Sequence, residues 1–260
     1  MIAAHASIHP VPRSMSPLVG TRLWSSPFLS HEERHALEDA ALPARTVAAN
    51  VDLVREGEGA DSLFIVVDGW ACRYATTREG GRQLPALLIP GDVANLDSLM
   101  FARLDYGVRT VIRSTIVALP RDRALALAAQ HPGIARVFTW LGLVENMILS
   151  KWALSLGRRS ALERLAHLLC ELSVRLDAEN DNESAFAFPL TQEQIADALG
   201  LTSVHVNRTM QQLRSDGLIV TTNRVIAFPD VARLRRLGGF DPHYLHVSPA
   251  AELVTAAFGG

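Results

Sequence analysis

One glycine, Gly200, separates two short helical patterns in the last third of this 260-residue chain. Before it, Thr191 and Gln194 have the spacing of a reciprocal capping box, and Ile195 and Leu199 lie one turn apart on the helix that follows. Glycine is favoured where a helix must end in a left-handed residue, so a tight turn is expected at Gly200. The spacing therefore predicts two helices joined by a short turn.

The second helical pattern has an apolar stripe and an open polar face. Thr202 is a suitable N-cap, and Val206, Met210 and Leu213 recur at helical spacing. Polar residues outside this stripe are free to meet base edges, namely Ser203, His205, Asn207, Arg208 and Gln211. Two β-prone runs follow, 218–220 and 224–228, which predict a hairpin wing. Helix, turn, helix and wing in this order indicate binding of duplex DNA, and an ordinary helical hairpin with a solvated face is the alternative.

The composition limits how such binding would work. The net charge is -2, so contact with DNA must come from a local cluster rather than from the field of the whole molecule. The last third supplies that cluster with Arg208, Arg214, Arg224, Arg233, Arg235 and Arg236. Two distant cysteines, Cys72 and Cys170, form no CxxC, and residues 1–20 lack the features of a signal peptide. We therefore expect a soluble protein of the reducing cytoplasm with no membrane span.

The first half of the chain reads as a β domain. Ser30 and Glu33 predict a capped helix to about residue 41. Short β-prone runs follow at 63–67, 70–74, 84–89 and 108–119, with glycines between them. Strands at this spacing are typical of an antiparallel barrel or jelly roll.

A long helical pattern begins after Pro132. The predicted seam has residues spaced alternately three and four apart, namely Ile134, Val137, Leu141, Val144 and Ile148. A second apolar face contains Phe138, Trp140, Leu143, Met147 and Trp152. One face can pack on the β domain and the other on a partner chain, so we predict a dimerisation helix with the seam as its interface.

These patterns divide the chain into five segments. They are a mobile N-terminal arm (1–22), a β-roll domain (23–130), the dimerisation helix (131–157), a winged helix-turn-helix domain (158–240) and a tail of uncertain structure (241–260). Residues 157–160 are expected to act as a hinge, and Ser160 with Glu163 to cap a further helix. The predicted fold class is α+β.

Residues 53–69, LVREGEGADSLFIVVDG, fit the glycine-punctuated signature of cyclic-nucleotide-binding β-rolls. With the long helix and the winged helix-turn-helix, the chain resembles the Crp/Fnr superfamily of bacterial transcription regulators over residues 20–237. The resemblance implies a sequence-specific regulator that binds a pseudo-palindromic operator as a homodimer and contacts RNA polymerase. It implies base reading by Ser203, Val204, His205, Asn207 and Arg208. Expected phosphate contacts are Thr191, Gln192, Thr202, Gln211, Arg214 and Arg224.

The roll departs from the nucleotide-binding members of that superfamily. Asn95 and Leu96 stand where a Gly-Glu pair holds the ribose, and Arg109 with Thr110 fits the phosphate-binding pair only with a gap. Without a placed glutamate and arginine, a buried phosphate lacks its charge-assisted partners, so a cyclic nucleotide is not expected. The stretch 91–120 resembles the Fnr/FixK-like branch without gaps, and two cysteines exclude an iron-sulfur cluster held by four. Two possibilities remain for the roll: it binds haem, or it binds no ligand. Candidate residues for an effector pocket are Arg82, Asn95, Asp97, Arg109 and Thr110.

Enzymatic alternatives are weaker. His31, Glu32 and His35 form a literal HExxH, but Glu33 and Arg34 are charged where a buried zinc-site helix carries uncharged residues. A cupin-type metal enzyme needs a histidine cluster in its barrel, and no histidine occurs between His35 and His131. We expect no enzyme activity, no metal and a Cys72 that packs as a small apolar residue. The remaining alternative is a small-molecule-binding module whose helical domain contacts proteins.

Overall fold

The computed structural model describes residues 16–176 and 184–247. Its helices are α1 (His31–Ala40), α2 (Arg121–Gln130), α3 (Pro132–Arg158), α4 (Ala161–Arg175), α5 (Gln192–Leu199), α6 (Ser203–Ser215) and α7 (Val231–Gly238). Its strands are β1 (Arg45–Val47), β2 (Asp52–Val54), β3 (Ser62–Asp68), β4 (Ala71–Thr76), β5 (Arg82–Leu88), β6 (Gly107–Thr110), β7 (Ser114–Pro120), β8 (Ser184–Ala187), β9 (Val220–Thr222) and β10 (Val225–Phe228). Two 3-10 turns occur at Leu96–Leu99 and Pro242–Leu245.

Strands β1 to β7 form a roll of two facing sheets, with strand orders β1-β7-β3 and β2-β6-β4-β5. The pairing is antiparallel throughout, so the predicted jelly roll is confirmed. Gly69 joins β3 to β4 at φ +82°, and a Cβ there would approach the Ser114 Oγ to 2.5 Å. A side chain at this position would therefore be both strained and obstructed. The run 108–119 is not one strand, because it breaks after Thr110 into β6 and β7.

The segment before the roll is packed rather than mobile. Leu18 and Leu23 are each only 1% exposed, and the Thr21 hydroxyl donates to the Leu18 carbonyl at 2.7 Å. The expectation of a mobile arm is therefore wrong for residues 16–22, because their leucines complete the core beneath α1. The first fifteen residues of that predicted arm lie outside the described residues. Helix α1 begins at the predicted capping box, and the Glu33 carboxylate also accepts from the Gly133 amide at 2.7 Å.

Helix α3 matches the predicted long helix but presents a different face to solvent. Ile134 and Val137 are fully buried and Val144 nearly so, because this side packs on the protein's own roll and α4. Leu141 and Ile148 are half-buried against the same cores. The prediction of a dimer interface is therefore wrong for Ile134, Val137 and Val144, and it stays a prediction for Leu141 and Ile148. The exposed stripe of α3 instead contains Leu143, Met147 and Leu154.

The C-terminal domain contains a strand that the sequence did not reveal. Strand β8 pairs with β10, which also pairs with β9, so the predicted hairpin is a three-stranded sheet in the order β8-β10-β9. Helix α4 has nine buried residues and is the centre of the domain. The described part of the tail is ordered against it, with Tyr244 and Leu245 buried. Helix α2, between β7 and α3, was also not predicted.

Within residues 16–176 and 184–247, none of the helices combines the length and the hydropathy that a membrane span requires.

Candidate DNA-binding surface

Helices α5 and α6 form the predicted helix-turn-helix with the predicted caps. The Gln194 amide donates to the Thr191 hydroxyl at 3.2 Å, and the Thr191 amide donates to the Gln194 side chain at 2.9 Å. Gly200 ends α5 in the left-handed region at φ +62°. The Thr202 hydroxyl then caps α6 by accepting from the His205 amide at 3.2 Å. The turn is thus set by local hydrogen bonds and one glycine.

One face of α6 is buried and fixes the helix on the domain. Val206 and Leu213 are fully buried, and Thr209 is 4% exposed. The Thr209 hydroxyl donates to the His205 carbonyl at 2.9 Å, which satisfies a polar group on the buried face. The opposite face is open, and Val204 is 64% exposed.

A shallow groove runs along the open face of α6. It is lined by Thr202, Val204, His205, Arg208, Thr209 and Gln212. Val204, His205 and Arg208 were predicted to read bases, and the structure brings these three together. Gln212 was missed, although its place one turn after Arg208 and two turns after His205 puts it on the same face. Ser203 and Asn207 are half-buried beside the groove.

The six expected phosphate contacts are all exposed, and Thr202 also lines the groove; they are Thr191, Gln192, Thr202, Gln211, Arg214 and Arg224. Two of them are held by the wing. Arg214 Nη1 donates to the Thr221 hydroxyl at 3.1 Å. Arg224 lies at the hairpin tip, where it and Asn223 adopt φ +62° and +49°. Positive φ at both central residues is the geometry of a two-residue type I′ turn, so the tip is defined.

The five candidate effector residues do not line one accessible pocket, so the prediction of an effector site formed by them is wrong. Asn95 is fully buried, accepts from the Phe64 amide at 2.9 Å and donates to the Ser62 carbonyl at 2.9 Å. Thr110 is also fully buried, and its hydroxyl donates to the Ala48 carbonyl at 2.7 Å. Asp97 accepts a hydrogen bond from the Tyr106 hydroxyl. These three side chains therefore hold loops of the roll together.

The two arginines of that set are engaged elsewhere. Arg109 forms a bidentate pair with Asp52 at 2.7 and 2.9 Å, and this hydrogen bonding lowers the pKa of Asp52. Arg82 begins strand β5 of the roll, and its side chain reaches α5. There it contacts Asp197 at 2.7 Å and Glu193 at 3.1 Å. Arg82 is thus a contact between the roll and the DNA-binding domain.

Apolar side chains of both sheets pack together inside the roll. Phe64, Leu88 and Val108 are buried there in one apolar cluster. Arg73, which was not singled out in the sequence, is 5% exposed and donates to the Ala94 carbonyl at 2.7 Å. Its guanidinium also pairs with Glu145 of α3 and lies 4.6 Å from the centre of the Tyr106 ring. This arginine therefore connects the roll to the long helix.

The described residues contain no group of three or more His, Cys, Asp and Glu side chains placed to hold a metal ion. In the HExxH sequence, the ring nitrogens of His31 and His35 lie 3.1 Å apart on the surface of α1. Glu33 between them is committed to the helix cap and to Gly133. Burial raises the pKa of the Cys72 thiol to about 11, so little thiolate forms at neutral pH.

Comparison with known proteins covers both halves of the chain. Residues 44–131 match the family model of the cyclic nucleotide-binding domain, and residues 163–237 match that of the Crp-like helix-turn-helix domain. The first match covers the roll and α2, and the second covers α4 to α7. The helix-turn-helix described above lies inside the second match.

Several known proteins are similar to this chain over about three quarters of its length. The nitrogen fixation regulation protein FixK of Azorhizobium caulinodans is 28% identical over 213 residues, which are 78% of this chain and 85% of FixK. The transcriptional activator protein FnrL of Cereibacter sphaeroides is 29% identical over 76% of this chain and 81% of FnrL. The structure of FixK2 from Bradyrhizobium japonicum superposes with a TM-score of 0.70 at 26% identity, covering 76% of this chain and 98% of FixK2. This chain is therefore a transcription regulator of the Crp/Fnr family, similar to FixK, with a C-terminal DNA-binding helix-turn-helix domain.

Proposed function

We propose that this protein binds a pseudo-palindromic operator as a homodimer and regulates transcription in the cytoplasm through contact with RNA polymerase. The observation that carries the proposal is the open groove of α6, where His205, Arg208 and Gln212 lie beside exposed Val204. A helix held by a buried stripe and presenting polar side chains outward has the geometry that reads a major groove. Two copies would read half-sites about one helical turn apart.

Arg208 is the proposed reader of a specific base. It is exposed, and its forked guanidinium can donate to O6 and N7 of one guanine. Gln212 lies on the same face and can donate to or accept from a neighbouring base. Val204 can contact a thymine methyl group. The exposed arginines Arg214 and Arg224 flank these residues and are proposed to hold the phosphate backbone.

The proposed dimer interface is the exposed stripe of α3 rather than the buried seam. Leu143 is 56% exposed, Met147 40% and Leu154 47%. Their spacing of four and seven residues places them on one side of the helix, and half-buried Trp140 extends the stripe. An apolar stripe on a helix of 27 residues is suited to pair with its copy.

We also propose that the roll works without a bound cyclic nucleotide. Support comes from Asn95, whose side chain is bonded to the backbone of β3 and to Ser98. Titration calorimetry with cyclic AMP and cyclic GMP tests this point. Micromolar binding of either nucleotide would overturn it.

The dimer proposal is tested with Leu143→Asp and with the matched control Ala153→Asp, which adds the same charge at an exposed position outside the stripe. Light scattering should show a dimer for the wild type and the control, and a monomer for Leu143→Asp. Binding to a full operator, selected from genomic fragments, should fall at least tenfold for Leu143→Asp alone. Equal behaviour of both variants would place the interface elsewhere, and failure of the wild type to retain any fragment would reject DNA reading.

A further inference from the structure

A cleft lies where the roll, α3 and α4 meet. Its walls are mostly apolar and include Ala86 and Leu87 of β5, Val93, and Leu141, Ile148 and Trp152 of α3. All three parts of the molecule therefore contribute to one concave surface. Such apolar concavities with a few polar groups are the usual form of small-molecule sites.

Two arginines line the same cleft, Arg22 from the N-terminal segment and Arg175 from the last turn of α4. The side chain of Arg175 is only 5% exposed and that of Arg22 is 19% exposed. Among the described residues, Nε of Arg175 and Nη2 of Arg22 have no hydrogen-bond acceptor. A buried donor without an acceptor is uncommon in folded proteins, so these two atoms call for a partner.

The carboxylates around the cleft do not supply that partner. Asp92 lies 2.6 Å from Arg175 Nη2 but 4.0 Å from Arg22, beyond hydrogen-bond distance. Glu171 accepts from Arg175 Nη1 at 3.2 Å and is also bound to Trp152 and Tyr244. Glu145 is paired with Arg73. The acidic groups are thus already committed, while guanidinium donors remain.

Burial also lowers the pKa of Arg22, with Asp92 acting in the opposite direction. The charged guanidinium is therefore held in an environment that does not fully compensate it. An added acceptor with negative charge would correct this imbalance, whereas an apolar molecule would not.

We propose that this cleft binds a small organic anion whose carboxylate accepts from Arg22 and Arg175 and whose short apolar body lies against β5 and α3. The polar end is set by the two unsatisfied donors. The apolar end is set by the side chains of Leu87, Leu141 and Ile148, which offer no hydrogen-bond donor to a second carboxylate. A straight-chain carboxylate has this chemistry.

The proposed site touches both units that a regulator must couple. Leu87 belongs to the roll, and its carbonyl accepts from Arg175 Nη2 at 2.9 Å. Arg175 belongs to the first helix of the DNA-binding domain. A ligand at this junction is therefore placed to change how α4 sits on the roll, and this consequence rests on the proposed function.

The experiment is calorimetric titration of the full chain with hexanoate, octanoate and decanoate, with octan-1-ol as the uncharged control. Saturable binding of one carboxylate and none of the alcohol is expected. Arg22→Met should weaken this binding about tenfold or more, because a charged hydrogen bond is lost while apolar volume is kept. The matched control Arg78→Met removes an exposed arginine of the roll that does not line the cleft and should bind as the wild type does.

Ala86→Phe provides a second arm, since it fills the apolar wall and changes no charge. It should abolish binding while circular dichroism and melting temperature stay close to those of the wild type. Equal binding of octanoate and octan-1-ol, loss of affinity in Arg78→Met, or no binding at millimolar carboxylate would overturn the proposal. Each of these results is obtained without DNA, so it leaves the proposed operator binding unaffected. Operator affinity with and without octanoate is measured separately by fluorescence anisotropy.

Discussion

Polar side chains serve opposite purposes in the roll and in α6. In the roll, Asn95 is fully buried and fixes the backbone of β3, while Thr110 closes a loop with Ala48. In α6, His205 and Arg208 are exposed along a groove. Polar residues therefore stabilise the fold in one region and remain available for a partner in the other. Burial decides which of these two roles a polar side chain has, and the sequence alone indicates burial only indirectly.

The largest expected effect of this difference is on stability. Asn95→Ala removes the acceptor of the buried Phe64 amide and the donor to the part-buried Ser62 carbonyl, so both backbone groups lose this partner. The free energy of unfolding should fall by about 3 kcal/mol. Chemical denaturation measures this change.

The matched control is Asn207→Ala, the same substitution in α6, where the side chain is half-buried beside the groove. Its effect on the free energy of unfolding should stay within about 0.5 kcal/mol. If both asparagine variants lost equal stability, the contrast between the two regions would be wrong.

The second effect is on recognition. Arg208→Ala should reduce affinity for the operator by about 1 to 3 kcal/mol and relax preference at one base pair, because the bidentate contact is lost. The unfolding free energy should hardly change, since Arg208 is exposed. Fluorescence anisotropy on an operator and on its single-base variants measures both quantities.

Arg208→Lys serves as the control for charge, because lysine keeps the positive charge but lacks the planar fork. It should retain affinity for unrelated DNA and still lose preference at that base pair. Uniform weakening of Arg208→Ala on all sequences would instead assign the residue to the phosphate backbone.

Local sequence signals are sufficient to predict the helix-turn-helix. The capping box at Thr191, the left-handed Gly200 and the cap at Thr202 are all read from a few neighbouring residues, and the structure has each of them. The glycine-punctuated run 53–69 likewise led to the roll. These features depend on contacts within one or two turns of chain, which spacing encodes directly.

Contacts between residues far apart in the chain could not be predicted from sequence spacing. Strand β8 is defined by pairing with β10, about forty residues later in the chain. The seam of α3 was assigned to a partner because periodicity identifies an apolar face but not what covers it. Arg82 and Arg109 were grouped by analogy, although one pairs with α5 and the other with Asp52. Which partner a side chain finds is a property of the folded chain.

Two histidines of the DNA-binding domain extend the comparison to pH. His167 is 2% exposed, and its ring nitrogens lie 3.2 Å from the Gly238 carbonyl and 3.1 Å from the Tyr244 hydroxyl. Burial lowers the pKa of His167 to about 4, and the nearby cations Arg159 and Lys151 act in the same direction. The folded protein thus binds fewer protons than the unfolded chain between about pH 4 and 6.5.

Stability should therefore be complete above about pH 6.5 and decrease as the pH falls towards 4. The contribution of His167 at about pH 5 should be a loss of between 1 and 2 kcal/mol. Denaturation of the wild type and of His167→Gln at both ends of this range measures it, and the variant should lose less stability on acidification. His205→Gln, at an exposed position, should keep the wild-type dependence. Identical pH profiles for His167→Gln and the wild type would mean that another group carries the acid sensitivity.

The smallest expected effect distinguishes phosphate contacts from base contacts on the exposed surface. Arg214 is exposed and held by Thr221 at 3.1 Å, away from the groove lined by Arg208. If it contacts a phosphate, Arg214→Ala should lower the slope of log affinity against log salt by about 1 and leave base preference unchanged. Arg214→Lys should restore the slope, because one positive charge is sufficient for counterion release. An unchanged slope in Arg214→Ala would remove Arg214 from the binding surface and restrict backbone contacts to residues such as Arg224 at the wing tip.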